Sequence, residues 1–347
     1  MVNKKFWRLI SQPSINELNF NLSVDEAILR CVQENLSEST LRLWIGKPSI
    51  ILSKSEGIFE SNLVNWRKLG LNVARGCMNG RIIYNDEGVL NIVVASNELQ
   101  DKLSFKHLHK LVYEVISFPI LNFGLKPVVN EDSRLILTND KILSSISSFS
   151  FYNSNLIFAV LYVNPNLNLM KKALPNNFSS IENEANVKVE LNEVKAMIKS
   201  KFEEVFNASL IDGTLNKEEE KIAKKLYEVK YSKEEWLTKG EEPLTLKDVL
   251  LEVYVAYPPT ALDRKFIEAV NKAVFNLRDK VEVRIWKRGR GIPPGVSLTP
   301  GLRKASKESL IPALIINGEV KLGRIIEPPS EEELRKILEE ALKEKTC

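Results

Sequence analysis

Residues 69–91 read LGLNVARGCMNGRIIYNDEGVLN, and this stretch is the most informative one in the chain for its fold. Four glycines interrupt it, and glycine tolerates positive φ and close backbone contacts because it has no Cβ. The preceding residues 61–69 predict a helix, with Gly70 near its C-terminal end. The stretch is therefore expected to lead out of a helix into a glycine-containing segment.

The same stretch resembles, without a gap, the signature LGIPVVRRPTGGGAVYHDxGNLN of the lipoate-protein ligase and octanoyltransferase family. In that family the glycine run lets backbone N–H groups approach the acyl-adenylate. The chain keeps the family's residue at Arg75, Tyr84, Asp86, Gly88 and Asn91. It differs at Gly76, Met78, Asn79, Arg81 and Asn85, which replace an arginine, a hydroxyl residue, two glycines and a histidine. The resemblance implies substrate-binding positions at Arg75, Asn79, Gly80, Arg81, Tyr84, Asn85 and Asp86.

The altered glycine run is expected to change the path of the loop. Met78, Asn79 and Arg81 carry side chains where the family has a hydroxyl residue and two glycines. A positive φ at Asn79 or Arg81 would cost roughly 1–2 kcal/mol, so another backbone path is expected. Arg81 is expected to pair with Asp86 and to fill part of the groove that an adenylate would need.

Earlier segments resemble the same family in the same order. Residues 7–10 look like its opening strand, residues 21–27 like the NxAxDEA start of its first helix, and residues 40–44 and 48–53 like the next two strands. A capping box is an alternative explanation of the second segment, since Ser23 is a suitable N-cap with Glu26 three residues later. This segment therefore carries little weight for function.

Residues 133–146, SRLILTNDKILSSI, resemble the family pattern NDIVVDGRKISGSA. Lys141 falls on the lysine that, in the family, lies against the acyl carboxylate and the α-phosphate of the nucleotide. A compact cation at about 4 Å from a phosphate oxygen offers roughly 4 kcal/mol at a surface-like dielectric constant. The resemblance thus implies that Lys141 is catalytic. The alternative is a hairpin turn at Asn139 and Asp140 with Lys141 as its solvated flank.

A third segment departs further from the family. Residues 159–164 resemble its GTLLLN strand, but Phe158 replaces the preceding histidine. Residues 180–184 lie where the family has SVRxR, and Glu182 and Glu184 stand at the two arginines. Two added carboxylates disfavour an anionic adenylate through repulsion that water only partly screens. The sequence therefore predicts that ATP-dependent activation is weakened or lost.

Composition and charge limit the class of protein. With 347 residues, of which 44% are hydrophobic and 27% charged, the chain is typical of a soluble globular protein of about two domains. The net charge of +4 is too small to indicate nucleic acid as the main partner. The compact basic run 287–290, KRGR, is either a solvated loop or a contact for an acidic partner. Without a signal segment or an apolar run of about 18 residues, no membrane span and a cytoplasmic location are expected.

The cysteines and histidines predict no metal site. Cys31, Cys77 and Cys347 are far apart and have no metal-ligand or CxxC spacing. Cys31 is expected in the core, Cys77 lacks an activating histidine nearby, and Cys347 is expected to be exposed. His107 and His109 are two residues apart on a predicted helix, so they face different sides and are poor metal ligands.

A domain boundary is predicted shortly after residues 225–236, KLYEVKYSKEEW, which resemble the KYSSxEW closing segment of the ligase domain. We predict an α+β ligase-like domain with mixed sheets over 1–240, a linker over 241–247, and a small α/β domain over 248–347. In the small domain, 246–257 reads as a short helical turn and a buried strand, 261–277 as a helix, and 281–286 as a second strand. Residues 309–320 predict two strands joined by an Asn-Gly type I′ turn, and a final helix starts at Ser330.

This β-α-β, then β-β-α order, with Pro312 before the third strand, resembles a thioredoxin-like domain. In that family the proline is cis, so a cis Ile311–Pro312 bond is expected, although a trans proline at a strand start is the alternative. The position of the CxxC motif reads YPPTAL (257–262) and has no thiol. Since thiol-disulfide exchange needs a thiolate, the domain cannot be a dithiol oxidoreductase.

Two functions follow from the resemblance. In the first, the chain recognises a lipoyl or octanoyl group and the lysine of a lipoyl-domain carrier protein, with little or no ATP-dependent activation, while the thioredoxin-like domain docks a second protein. In the alternative, it is an active lipoate-protein ligase or octanoyltransferase in which Lys141 and Arg75 hold the carboxylate and Asp86 supports the loop. Lipoate or octanoate, ATP and Mg²⁺ would then be needed. The loop substitutions favour the first.

Overall fold

The computed structural model describes residues 4–11, 17–97 and 105–344. The chain divides into two compact units, Met1–Glu241 (unit 1) and Glu242–Cys347 (unit 2). A linker over 241–247 stays a prediction. Among the described helices, none is long and apolar enough to cross a membrane. Cys31 and Cys77 are buried and form no disulfide, whereas Cys347 lies outside the described residues.

Unit 1 contains a large and a small mixed sheet. Its described strands are β1 (Lys5–Ile10), β2 (Thr40–Ile45), β3 (Ser49–Leu52), β4 (Asn72–Arg75), β5 (Ile83–Asn85), β6 (Val89–Ser96), β7 (Val128–Asn130), β8 (Leu135–Thr138), β9 (Lys141–Phe151), β10 (Ser154–Tyr162) and β11 (Ala208–Asp212). The large sheet has the order β11-β1-β2-β6-β10-β9-β8-β7, and the small sheet β4-β3-β5. Parallel and antiparallel pairs occur in both, so the predicted α+β unit with mixed sheets is confirmed.

Helices cover both faces of the large sheet. They are α1 (Leu18–Gln33), α2 (Glu60–Lys68), α3 (Phe105–Asn122), α4 (Leu167–Ala173), α5 (Ile181–Ala185), α6 (Leu191–Val205), α7 (Lys217–Leu226) and α8 (Glu234–Lys239), with a π-helical turn at Tyr227–Tyr231. The main core lies under α3 and α6, where the ring centroids of Trp7 and Phe202 are 5.1 Å apart. α1 lies on the opposite face, because Arg42 of β2 points to it and donates to Asn21 Oδ1 at 2.6 Å.

The start of α1 corrects one prediction. α1 begins at Leu18, so Ser23 and Glu26 lie inside the helix and the predicted capping box is wrong. Ser23 Oγ instead donates to the carbonyl of Phe20 at 2.7 Å. The reason is that the helix starts six residues earlier, after Glu17, whose side chain makes no cap hydrogen bond.

Glu26 joins the first helix to the closing segment of unit 1. Its Oε2 accepts from Lys230 Nζ at 2.8 Å and from Tyr231 Oη at 2.7 Å, and Arg30 donates to Oε1. All of Glu26, Lys230 and Tyr231 are buried. Burial raises the pKa of Glu26, but the charges of Lys230 and Arg30 outweigh it and hold the pKa below its ordinary value. Two segments that resemble the family therefore form one buried ion-pair network.

Unit 2 is a four-stranded sheet with helices on both faces. Its elements are β12 (Val249–Val255), α9 (Ala261–Ala273), β13 (Val281–Lys287), α10 (Pro300–Lys307), β14 (Ala313–Ile316), β15 (Glu319–Gly323) and α11 (Glu331–Glu344). The strand order is β13-β12-β14-β15; β12 and β13 are parallel, and the other pairs are antiparallel. One core packs α9 and α11 on the sheet, and a second packs α10 on the other face.

Several local predictions for unit 2 are confirmed, but the predicted short helical turn before β12 is wrong, because residues 246–248 form bends that lead directly into the strand. The Ile311–Pro312 bond is cis, and Asn317 and Gly318 both have positive φ, as a type I′ turn requires. α11 begins after Ser330, whose Oγ bonds to Glu333. The sequence analysis missed α10, although Thr299 and Pro300 are a typical N-cap and first helical residue.

Glu252 leads to a prediction for the pH dependence of stability. Its carboxylate is buried in the middle of β12 and accepts from Trp286 Nε1 at 2.9 Å and from Thr299 Oγ1. Burial raises the pKa of Glu252 despite these bonds and the nearby Arg284, and Glu282 raises it further. A raised carboxyl pKa stabilises the fold below the unfolded pKa, and this contribution is lost as the pH rises through the folded pKa.

Glu252→Gln is therefore expected to raise the melting temperature of unit 2 above that of the wild type, and by more at pH 8 than at pH 5. Calorimetry of the full chain at a series of pH values measures this difference. The exposed Glu319, paired with Lys321 at 3.1 Å, provides the control Glu319→Gln, for which no such growing difference is expected. A Glu252→Gln protein that is less stable than the wild type at pH 8 contradicts the prediction.

Candidate active site

The signature segment connects the small sheet to β9 of the large sheet. β4 carries Arg75 and pairs with β3 in parallel, with Leu52 opposite Arg75, and β5 pairs with β3 in antiparallel. Between β4 and β5 the chain crosses to β9, where Asn79 N donates to Ser148 O at 2.8 Å and Ser148 N to Asn79 O at 3.1 Å. The loop is therefore fixed to the large sheet at its centre.

The loop is unstrained but tightly packed. Met78, Asn79 and Arg81 do not have positive φ, so the backbone avoids the cost that a positive φ would carry at these positions, as the sequence predicts. Gly80 is needed for space: a Cβ there would lie 2.0 Å from Ser147 Oγ. The family's later glycine is needed for the same reason, since a Cβ on Gly88 would lie 2.2 Å from the carbonyl oxygen of Asn164.

Asp86 holds the end of the loop. Its carboxylate accepts from Tyr84 Oη, from Gly88 N and from Asn166 N, each at 2.8 Å. Arg81 does not contact it; Arg81 Nε donates to the carbonyl of Ser133 at 3.3 Å, so the predicted pairing of Arg81 with Asp86 is wrong. The physical reason is that Asp86 is buried and already binds three donors from its own turn and from Asn166.

Two further signature residues, Tyr84 and Asn85, are fully buried. Burial, together with the carboxylate of Asp86, raises the pKa of Tyr84 far above its ordinary value, so the phenol stays a hydrogen-bond donor. Asn85 Oδ1 accepts from Asn91 Nδ2 at 3.1 Å, while Asn85 Nδ2 has no partner in the described part of the chain. Asn85, at the position of the family's histidine, is thus buried and hydrogen-bonded to Asn91 of β6.

Arg75 is buried, and its guanidinium binds backbone carbonyls. Its donors reach carbonyl oxygens 2.8–3.5 Å away, which belong to Ser53, Lys54, Glu56, Leu237 and Thr238. In return, Trp236 Nε1 donates to the carbonyl of Arg75 at 2.9 Å. Burial lowers the pKa of Arg75 below that of a free guanidinium. The arginine predicted to bind substrate therefore ties β4 to the segment after β3 and to α8.

Lys141 is the first residue of β9 and follows a tight turn. Asn139 and Asp140 have φ of 51° and 59°, and Thr138 pairs with Lys141, so the hairpin predicted as an alternative is confirmed. The side chain of Lys141 is 38% exposed, but its Nζ lies 2.8 Å from Glu184 Oε1. Lys141 is thus the flank of a hairpin and, at the same time, half of an ion pair.

Glu184 is held by four donors. Besides Lys141, Ser179 Oγ donates at 2.6 Å, Asn183 Nδ2 at 3.1 Å and Asn139 Nδ2 at 3.2 Å. Burial alone would raise the pKa of Glu184, but these bonds, that of Lys141 first, lower it to about 2. Glu184 is therefore a carboxylate throughout the physiological pH range and neutralises the lysine.

Next to the loop lies a groove with a volume of about 520 Å³. Two of the predicted site residues, Gly80 and Arg81, line it, whereas Arg75, Tyr84, Asn85, Asp86 and Lys141 are not among its described lining residues. Its apolar wall includes Trp66, Ile142 and Phe178, and its charged lining residues are Arg81, Lys172 and Glu56. The sequence analysis did not identify Trp66, Phe178 or Lys172, since nothing local marks them as neighbours of the loop.

Known proteins of one family match the greater part of unit 1. Residues 17–203 match the family model described as the lipoyl protein ligase A/B catalytic domain. Lipoate-protein ligase A subunit 1 of Thermoplasma acidophilum is 26% identical over 253 residues, which are 66% of this chain and 95% of that protein. Octanoyltransferase LipM of Clostridioides difficile is 25% identical over 269 residues, which are 66% of this chain and 97% of that protein.

Solved structures share the fold. A putative lipoate protein ligase of T. acidophilum with bound lipoic acid superimposes with a TM-score of 0.61 at 22% identity, covering 67% of this chain and 99% of that one. Lipoate-protein ligase A bound with ATP gives 0.59 at 21% identity, covering 69% and 100%. A bi-partite lipoate protein ligase studied with its E2 lipoyl domain, also from T. acidophilum, gives 0.60 at 20% identity, covering 69% and 98%.

These matches confirm the resemblance read from residues 69–91 and from the segments around it. The family model alone spans more than half of the chain. The chain therefore belongs to the lipoyl protein ligase A/B catalytic domain family.

Proposed function

We propose that this protein recognises a lipoyl or octanoyl group and the lysine of a lipoyl-domain carrier, and that its ATP-dependent activation step is weakened or lost. The observation that carries the proposal is the ion pair between Lys141 and Glu184. Lys141 stands at the position of the lysine that, in the family, lies against the acyl carboxylate and the nucleotide phosphate. Here its ammonium group is paired with the carboxylate of Glu184 instead. The altered loop and the buried Arg75 point in the same direction.

The charges next to Lys141 oppose an anionic adenylate. A phosphate oxygen that approached Lys141 would also approach Glu184, and two like charges at about 4 Å repel by roughly 4 kcal/mol at an effective dielectric constant of 20. This repulsion offsets the attraction by the lysine. Glu184 is not easily displaced, because three other side chains also donate to it. Arg75 cannot replace Lys141, since its donors bind backbone carbonyls.

The groove next to the loop has an apolar wall that an acyl chain could cover. Trp66, Ile142 and Phe178 give it an apolar wall, and its volume is within the range typical of small-molecule sites. An eight-carbon chain buried there would gain about 0.8 kcal/mol per CH₂ group. The E2 lipoyl domain of the archaeal system supports a lipoyl-domain partner for this chain as well. A cytoplasmic location goes with this proposal.

We propose further that unit 2 is a thioredoxin-like unit that docks a second protein. Support comes from its strand order, β13-β12-β14-β15, and from the absence of any thiol at 257–262. Without a thiolate it has no dithiol chemistry. The function that we propose for unit 2 is therefore binding of another protein.

The test is calorimetric titration with ATP and Mg²⁺, followed by mass spectrometry of a lipoyl domain incubated with lipoate, ATP, Mg²⁺ and this protein. The wild type is expected to bind ATP too weakly to detect. Glu184→Gln keeps the shape and frees Lys141, so at least about tenfold tighter ATP binding is expected, equivalent to about 1.4 kcal/mol. Glu190→Gln, which breaks the exposed pair of Glu190 with Lys188 at 2.7 Å, is the matched control and should change nothing.

The alternative, an active ligase or octanoyltransferase that uses Lys141 and Arg75, is favoured by the retained and partly exposed Lys141. Tight ATP binding by the wild type, together with lipoylation that Lys141→Ala abolishes, would establish that alternative. Equal ATP binding by the wild type and Glu184→Gln would also reject the role assigned to Glu184.

A further inference from the structure

We infer that one end of the unit 2 sheet is a docking surface for an acidic segment of a partner protein. The surface consists of Tyr257, Lys287, Arg288 and Arg290 and is called the basic edge. The inference rests on the proposed docking role of unit 2 and adds the location of the contact and the chemistry of the partner. It is independent of the acyl-binding proposal for unit 1.

The topology brings these residues together. β12 and β13 are parallel, and Val255 pairs with Lys287, so the residues that follow both strands emerge at the same end of the sheet. Arg288 N donates to the carbonyl of Val255 at 2.9 Å, and Arg290 N to the carbonyl of Lys287 at 3.1 Å. Gly289 has φ of 75°, which permits this tight turn. The three cations are therefore held on a short, hydrogen-bonded turn.

Arg290 is fixed in place by an aromatic ring. Its guanidinium carbon lies 4.1 Å from the ring centroid of Tyr257, and its Nη2 donates to Tyr257 Oη. Tyr257 itself is 50% exposed. Stacking uses the flat face of the guanidinium and leaves N–H groups at its edge for a carboxylate. Because the rotamer is already restrained, less conformational entropy is lost when a partner binds.

The cations of the basic edge lack carboxylate partners. Lys287, Arg288 and Arg290 are exposed, and none of them forms an ion pair with another described residue. Two exposed cations elsewhere in unit 2 do form ion pairs: Lys272 with Glu268 at 2.8 Å and Arg335 with Glu331 at 2.7 Å. The positive charge of the basic edge is thus not compensated by an ion pair within the described residues.

Arg324 adds a fourth cation at this end. Gly323 pairs with Ala313, and Ala313 pairs with Tyr254, so the end of β15 lies at the same end of the sheet as the end of β12. Arg324 follows directly and is exposed, and within the described residues it donates only to the backbone carbonyl of Glu308, at 3.5 Å. Asp263, at the start of α9, is buried and accepts from Thr260, so its charge does not face the surface.

The composition of the surface favours a protein over nucleic acid or a membrane. Tyr257 and the half-exposed Ile292 accompany the arginines, and exposed aromatic residues beside arginine are typical of protein interfaces. Nucleic-acid binding without base contacts draws its affinity from the number of phosphates that cations neutralise, and the four cations at this end of the sheet neutralise few. The expected partner segment therefore carries several carboxylates and at least one apolar residue.

The test is fluorescence anisotropy of the full chain with labelled peptides of alternating glutamate and leucine, and with the same peptides in which glutamine replaces glutamate. The glutamate peptide is expected to bind, and added salt to weaken it. The double variant Arg288→Glu, Arg290→Glu should bind it at least about tenfold more weakly. The matched control is Arg278→Glu, because Arg278 also stacks on an exposed ring, that of Phe275 at 5.1 Å, at the other end of β13.

Four other results would each contradict a different part of the proposal. Equal binding of the glutamine peptide would show that unit 2 docks proteins but that the acidic chemistry is wrong. An equal loss in Arg278→Glu would place the contact outside the basic edge. Tighter binding of single-stranded DNA or of anionic vesicles than of the glutamate peptide would exclude a protein as the partner class. If no peptide binds, the docking role of unit 2 fails as well. The salt dependence of the wild type tests the charge even where a variant folds poorly.

Discussion

Glu26→Ala is expected to lower the free energy of unfolding of unit 1 by about 3–5 kcal/mol, because it removes the carboxylate from a buried lysine and leaves that charge uncompensated. Lys230 lies 2.8 Å from Glu26, and both side chains are buried. Tyr231 loses its acceptor at the same time. Urea unfolding of the full chain, followed by tryptophan fluorescence, to which Trp236 next to this network contributes, measures the loss.

A double variant separates the charge effect from the loss of packing. Replacing a whole buried ion pair by uncharged side chains is often neutral, so Glu26→Gln with Lys230→Met should recover most of the stability that Glu26→Ala loses. The surface control Glu190→Ala breaks an exposed pair and is expected to cost less than about 1 kcal/mol. If Glu26→Ala costs no more than this control, the network does not stabilise the unit.

Short-range signals in the sequence predicted much of the fold. The turns at 139–140 and 317–318 are set by residues that tolerate positive φ, and α11 by its serine cap, so the chain near each site determines them. A local pattern gave a wrong prediction at Ser23. Ser23 and Glu26 have the spacing of a capping box, but both lie inside α1, which starts at Leu18. The mixed sheets of unit 1 were predicted only through the family resemblance, and which distant strands pair was not predicted, since no local pattern specifies it.

The contacts of the site could not be predicted in this way, since they join distant parts of the chain. Asp86 binds the backbone of Asn166, and Lys141 binds Glu184, 43 residues later. The sequence analysis noted that Glu184 replaces a family cation, but only the folded chain shows that it neutralises Lys141. The predicted pairing of Asp86 with Arg81 failed because the carboxylate of Asp86 is buried and already accepts from Tyr84, Gly88 and Asn166.

Arg75→Met is expected to lower the free energy of unfolding by about 2–4 kcal/mol, since each buried carbonyl left without a donor costs about 1–3 kcal/mol and water reaches some of them. Methionine keeps much of the aliphatic volume, so the change reports mainly on the hydrogen bonds. The lost bonds join the segment after β3 to α8. Hydrogen exchange measured by mass spectrometry should therefore speed up in residues 53–56 and 234–239 more than in the core of the large sheet.

Arg75→Lys distinguishes a structural role from a substrate-binding one. A lysine keeps the positive charge, so it would preserve much of the affinity for the carboxylate of lipoate if Arg75 bound that group mainly through its charge. It cannot reproduce a planar guanidinium that reaches carbonyls on both sides of β4, so it should destabilise unit 1 nearly as much as methionine does. We expect both variants to lose stability, while lipoate affinity of the folded protein stays within about twofold of the wild type, a difference of roughly 0.4 kcal/mol. A stable Arg75→Met protein that has lost lipoate binding would instead assign Arg75 to the substrate.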